Sequence, residues 1–142
     1  MVLATAVPMR APMRLKTAAR KIREIFGSSI TLARPSAVPT ANKEAYRKHA
    51  ADAAPLFKKF GVSRMVEAWG DDVPDGKVND LKQSVGLKDD ETVLFSWLEY
   101  PDKAARDAAN QKMMSDPAMA EMSDMPFDGK RMIFSGFQSI LD

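Results

Sequence analysis

The chain contains no cysteine. That excludes a disulfide framework, a thiolate metal centre and a cysteine nucleophile, and it suits a reducing, cytoplasmic setting. Histidine is almost as scarce. His49 is the only one in 142 residues, too few for the usual zinc ligand sets, so no metal and no cofactor is expected. No apolar run approaches the roughly 20 residues of a membrane span, so no membrane partner is expected. Acidic charge is missing from one region. Residues 1–34 carry seven Lys/Arg and one acid, Glu24, while the other 108 residues carry fourteen Lys/Arg and eighteen acids. The net charge of +2 therefore averages a basic arm and a mildly acidic body. A nucleic-acid-binding body shows the opposite balance, so nucleic acid is disfavoured as a partner.

What is present begins with Glu91 to Tyr100, the best strand in the sequence. β-Branched and aromatic residues dominate it, Asp89-Asp90 precedes it and Pro101-Asp102 ends it. Val93, Phe95, Trp97 and Glu99 share one face. Thr92, Leu94, Ser96, Leu98 and Tyr100 share the other. Apolar side chains on both faces mark an interior strand.

The rest of the body falls around it. Asn42 to Phe60 has helical periodicity, with Tyr46, His49, Ala53, Leu56, Phe57 and Phe60 on the buried stripe, Pro55 expected to kink or restart it, and Gly61 as its stop. Val62 to Trp69 reads as a strand. Gly70 to Lys77 is a turn-rich loop, and Val78 to Val85 suits a short helix or a strand extension. A second helix spans Asp102 to about Met114, with Asp116-Pro117 as its breaker. A last strand is expected from Arg131 to about Phe137. If a strand lies between Ser29 and Val38, the order is βαββαβ. That is an α+β, ferredoxin-like plan: a four-stranded antiparallel sheet with two helices on one face. The other face is then bare and apolar, and a second copy covering it gives a homodimer, a dimeric α/β barrel.

Several blocks resemble the YbaA-like family of small bacterial proteins. They are Ala37 to His49, Trp69-Gly-Asp-Asp-Val-Pro-Asp-Gly-Lys77, Asp89 to Pro101, Lys103 to Ala108 and Met125-Pro-Phe-Asp-Gly-Lys-Arg-Met-Ile133. The resemblance covers about residues 36–142. It implies a ferredoxin-like dimeric α/β barrel and, for a family of unknown function, no established activity. It does not extend to residues 1–35. In this topology the first strand is central, and Pro35 there removes a ladder donor. Residues 1–35 are therefore read as a basic extension, poorly ordered or arising from a misassigned start or frame, and 36–142 as the domain. Within the extension, Met13 to Phe26 has amphipathic helical spacing. That pattern also fits a membrane-surface or transit helix, or a nucleic-acid arm.

Two functions of different class fit. One is a protein that binds a small molecule and has no assigned reaction. The other is a cofactor-independent oxygenase or isomerase with its pocket between sheet and helices. In the second, His49 is the candidate base, with Glu67 or Glu99 assisting. Trp69 and Trp97 wall the pocket, where an indole raises the basicity of a neighbouring carboxylate. Arg64 and Arg131 are candidate anion-binding groups, and cross-strand pairing with the glutamates is the plainer role for them. Asp71, Asp72 and Asp75 fail the calcium-loop template, because Val73 and Lys82 stand at ligand positions. Met113, Met114, Met119, Met122 and Met125 form either an adaptable binding lip or ordinary packing.

Overall fold

In the computed structural model, residues 30–122 and 124–141 are described; the readings made for residues 1–29 lie outside them. Strand β1 (Ile30–Pro39) leads through a 3-10 turn into helix α1 (Lys43–Lys59) and strand β2 (Arg64–Trp69). Short helix α2 (Leu81–Ser84), strand β3 (Glu91–Tyr100) and helix α3 (Lys103–Ser115) follow, then α4 (Pro117–Glu121), a 3-10 turn at Gly129–Arg131 and strand β4 (Ser135–Gln138). The sheet order is β2-β3-β1-β4, antiparallel throughout. This is the α+β, ferredoxin-like plan expected from the sequence.

The first strand crosses the 35/36 boundary drawn from the sequence, because Ile30 to Arg34 pair with Tyr100 to Ser96. Pro35 sits in the middle of this central strand, opposite Phe95. Its tolerance has a geometric reason. The Pro35 carbonyl accepts from the Ile133 N–H at 3.0 Å, so its polar edge faces the β4 side. A residue's amide and carbonyl point the same way in an antiparallel strand, so the missing N–H takes nothing from the β3 ladder. The β4 ladder itself stops at Ala33.

Local chemistry sets the helix ends. Gly61, at φ 110°, turns the chain after α1, and Val62 N–H then reaches the Phe57 carbonyl at 3.1 Å. Asp102 caps α3 by accepting from Ala105 N–H at 2.7 Å. Asp116 ends α3 and caps α4, with Pro117 at its first position. Pro55 does not break α1, so of the two expected outcomes, kink or restart, the restart does not occur. Pro55 and Ala51, whose carbonyl loses its donor, are both exposed, so water can satisfy the group. The last strand begins later than expected. Asp128 accepts from Lys130 N–H at 3.0 Å and takes Arg131 Nε at 3.0 Å, which winds Gly129–Arg131 into a 3-10 turn.

One sheet face carries the main core. Ile30, Leu32, Leu98 and Tyr100 pack beneath Ala53 and Phe57 of α1 and Ala109 of α3. The opposite face is less bare than expected. Val73, Val85 and Leu87 of the 70–90 loop, with Ile133, cover Ala37 and Val93 at one end. Val66, Ala68, Phe95 and Trp97 beyond it stay half-buried, and Phe137 is exposed.

Candidate functional site

The strand registers place Arg34 of β1, Ser96 of β3 and Glu67 of β2 side by side in one row on the helix-covered face. Serine in the middle strand is small enough for the long side chains on either side to meet across it. Arg34 Nη2 donates to Glu67 Oε1 at 3.2 Å and to Ser96 Oγ at 2.9 Å. Ser96 Oγ passes its own hydrogen to Glu67 Oε1 at 2.9 Å. From α1 above, the Tyr46 hydroxyl donates to Glu67 Oε2 at 2.8 Å. Burial first, and then the neighbouring Glu67 charge, hold the Tyr46 phenol far above its ordinary pKa, so it stays a donor. The Arg34 guanidinium lies 5.2 Å from the centre of the Phe57 ring.

This polar row is the floor of a cleft of about 850 Å³ between the sheet and the helices. Its walls are largely apolar: Leu32, Ala53, Phe57, Phe127 and a run of methionines. All five methionines singled out above line it, joined by Met65 of β2 and Met132. Thioether side chains adapt to varied shapes, which suits a site more than a fixed core. Two charges of opposite sign therefore sit, 11% and 17% exposed, in apolar surroundings. Such a pair persists only when its hydrogen bonds are well met. Glu67 is met three times. Arg34 is not: its Nε is buried without a partner, and Nη1 has none among the described residues.

Of the seven residues proposed from sequence, His49 and Glu67 line the cleft. His49 is at its rim, half-buried, its ring 6.5 Å from that of Tyr46, with no carboxylate partner among the described residues. Trp69 faces the same side but packs with Val38, Tyr46 and Leu94 beyond the cleft, beneath Lys43 Nζ at 5.5 Å. Glu99 and Trp97 lie on the opposite face. There Glu99 Oε1 accepts from Arg64 Nη1 at 3.1 Å and Trp97 Nε1 at 3.2 Å. Arg131 is held by Glu91 and Asp128 and donates to the Gly86 carbonyl at 2.8 Å, so it ties loops together. No group of three or more His, Cys, Asp or Glu could hold a metal ion among the described residues. No helix there is long and apolar enough to cross a membrane.

Residues 35–129 match the family described as "Protein of unknown function (DUF1428)". The chain belongs to this family. Curated relatives include the uncharacterized protein YbaA of Escherichia coli strain K12, 63% identical over 107 residues, 75% of this chain and 92% of the relative. The YbaA protein of Shigella flexneri matches to the same extent. Among solved structures, a dimeric ferredoxin-like protein from an uncultured marine organism overlays with a TM-score of 0.49. It is 13% identical and covers 82% of this chain and 99% of its own. Tyr46, Glu67 and Ser96 lie inside the family's matched segment, and Arg34 stands one residue before it.

Arg34, Tyr46 and Ser96 were missed as site residues from sequence. Arg34 was counted with the basic arm because Pro35 follows it. The available signal was its place in the alternation Ile30, Leu32, Arg34, Ser36, Val38. A charge in mid-stripe on a strand face that is otherwise uncharged and buried requires a partner.

Proposed function

We propose that this protein binds a small, mainly apolar molecule in the methionine-lined cleft. One observation carries the reading: an apolar space of about 850 Å³ has a largely buried, hydrogen-bonded charge pair as its floor. Space of that size with a few convergent polar groups is the usual form of a ligand site. The geometry favours binding over the cofactor-independent oxygenase or isomerase. Three of the Glu67 lone-pair positions are already engaged, Glu99 is on the other face, and His49 lacks an orienting carboxylate among the described residues. Mass spectrometry of small molecules retained by the purified protein, with calorimetric titration of naphthalene, tests the reading. A stoichiometric site that weakens at least tenfold in Met65→Trp is expected. Absence of both a retained species and naphthalene binding would sink it.

The opposite face supports a second copy of the chain as partner. Val66, Ala68, Phe95, Trp97 and Phe137 form an apolar strip with no charge in its middle, and charged Arg64 and Glu99 stand at its margin. Sheets packed face to face are sealed by such strips. Light scattering on the full chain should give a dimer at micromolar concentration, and Phe95→Glu should give a folded monomer. A wild-type monomer under those conditions removes the reading.

A further inference from the structure

We infer that Arg34 is the residue that sets what charge the cleft accepts, an inference that rests on the cleft being a binding site. With Arg34 in place, the site suits an uncharged ligand that carries a hydrogen-bond-accepting oxygen, such as a ketone. Without it, Glu67, Tyr46 and Ser96 suit an organic cation.

The argument starts from charge and donors. Arg34 and Glu67 neutralise each other, and Asp116 adds a carboxylate to the cleft wall. An anion would face the Asp116 carboxylate, while a cation would find Glu67 already paired, Asp116 accepting from Ala118 N–H as a helix cap, and the Arg34 charge close by. The floor nevertheless has more donors than acceptors to offer. Glu67 already receives three hydrogen bonds. Arg34 spends only Nη2, while Nε is buried without a partner and Nη1 has none among the described residues. Nε is sealed from the cleft, so Nη1 is the donor that an acceptor on the ligand would meet, and an unpaired donor costs free energy that such an acceptor recovers. Hence the chain as it stands favours a neutral acceptor.

The second half follows from what Arg34 does to Glu67. The guanidinium occupies Glu67 much as a cationic ligand head would: it donates to Oε1 and lies over an aromatic ring, Phe57. Arg34 also stands outside the segment that matches the family, whereas its three partners are inside it. With an uncharged side chain at position 34, Glu67 becomes a buried carboxylate without a counter-ion. The apolar walls and the Phe57 ring then favour an ammonium group on an apolar body.

Three probes of one shape read this: naphthalene, 1-acetylnaphthalene and 1-naphthylmethylamine, titrated by calorimetry at pH 7. The full chain should bind the ketone at least fivefold more tightly than naphthalene, and the amine more weakly than naphthalene. Arg34→Val should lose the ketone's advantage and bind the amine at least tenfold more tightly than wild type. Arg34→Gln keeps a polar, shorter side chain without the charge and tests the same reversal should Arg34→Val not fold. Adding Glu67→Gln to either variant should abolish the amine's gain. Naphthalene binding with a ranking unmoved by both Arg34 variants overturns the inference and leaves the cleft as a site. Failure of all three probes overturns the inference, and the absence of any retained species as well overturns the binding reading itself.

Discussion

Two arginine–glutamate pairs lie on opposite faces of the same sheet, and they differ in what surrounds them. Arg34–Glu67 is on the helix-covered face, beside open space. Arg131–Glu91 is on the other face, at the end where the 70–90 loop and the turn at Gly129–Arg131 meet. Arg131 uses Nε, Nη1 and Nη2 on Asp128, Gly86 and Glu91, so its guanidinium is committed to holding loops. Among the described residues Arg34 uses one nitrogen. The same residue pair is thus structural where the arginine is saturated, and under the proposed function it is the unsaturated one that meets a ligand. A third pair, Arg64–Glu99, stands in the sheet's outermost row beside β2, exposed at 63% and 27%. Ranked by the exposure of the arginine, 11%, 22% and 63%, the three form a series that can be tested.

The largest effect belongs to the cleft pair. Glu67→Ala leaves the Arg34 charge buried and unpaired, which should destabilise the fold by about 3–5 kcal/mol. Replacing both partners, Arg34→Met with Glu67→Met, should cost much less, because two desolvated charges leave together. Urea unfolding of the three proteins measures this. Equal losses in the single and double variants would mean that the pair is not buried as described.

Arg131→Ala comes next, and pH separates it from the first. The hydrogen bonds from Arg131 hold the Glu91 carboxylate at a pKa of about 2, against an ordinary 4.5. A depressed folded-state pKa means that the stabilisation is complete above about pH 4.5 and fades as pH falls toward 2. Discounted for solvent at the partly exposed guanidinium, it amounts to about 1–2 kcal/mol. Wild type should exceed Arg131→Ala by that amount at pH 6, and the gap should narrow by pH 2.5. A gap independent of pH would assign the loss to packing.

The sheet was legible in the sequence because its signals are local and repeated. Alternation in Glu91 to Tyr100, helical spacing in Tyr46 to Phe60, and the stops at Gly61 and Asp116-Pro117 each name their own element. The site was not legible to the same degree, because its floor is a row across three strands. Arg34, Ser96 and Glu67 lie 29 or more positions apart in sequence, and only register brings them together. Glu67 was found as a carboxylate near an indole, but its partner was hidden in a segment assigned to the arm. Glu99 was grouped with Glu67, but the register pairs Glu67 with Ser96 and so puts Glu99 on the other face. It is separated from Ser96 by an odd number of positions, and an odd step in a strand reverses the face. The glycine-rich block at 70–77 had a structural reason. A side chain at Gly70 would meet the Val93 carbonyl at 2.7 Å, and one at Gly76 would collide with the Asn79 carbonyl.

The smallest effect in the series should be at Arg64–Glu99, although its bond of 3.1 Å is slightly shorter than the 3.2 Å of Arg34 to Glu67. Distance alone would rank the two alike. Burial ranks them far apart, because water screens Arg64 and satisfies Glu99 when the partner leaves. Glu99 also keeps Trp97 Nε1 as a donor at 3.2 Å. Arg64→Ala should therefore change stability by no more than about 0.5 kcal/mol, and by less at high salt. Its urea midpoint should stay close to wild type. A loss rivalling that of Glu67→Ala would show that this end of β2 is covered in solution, as a second copy on the opposite face would cover it.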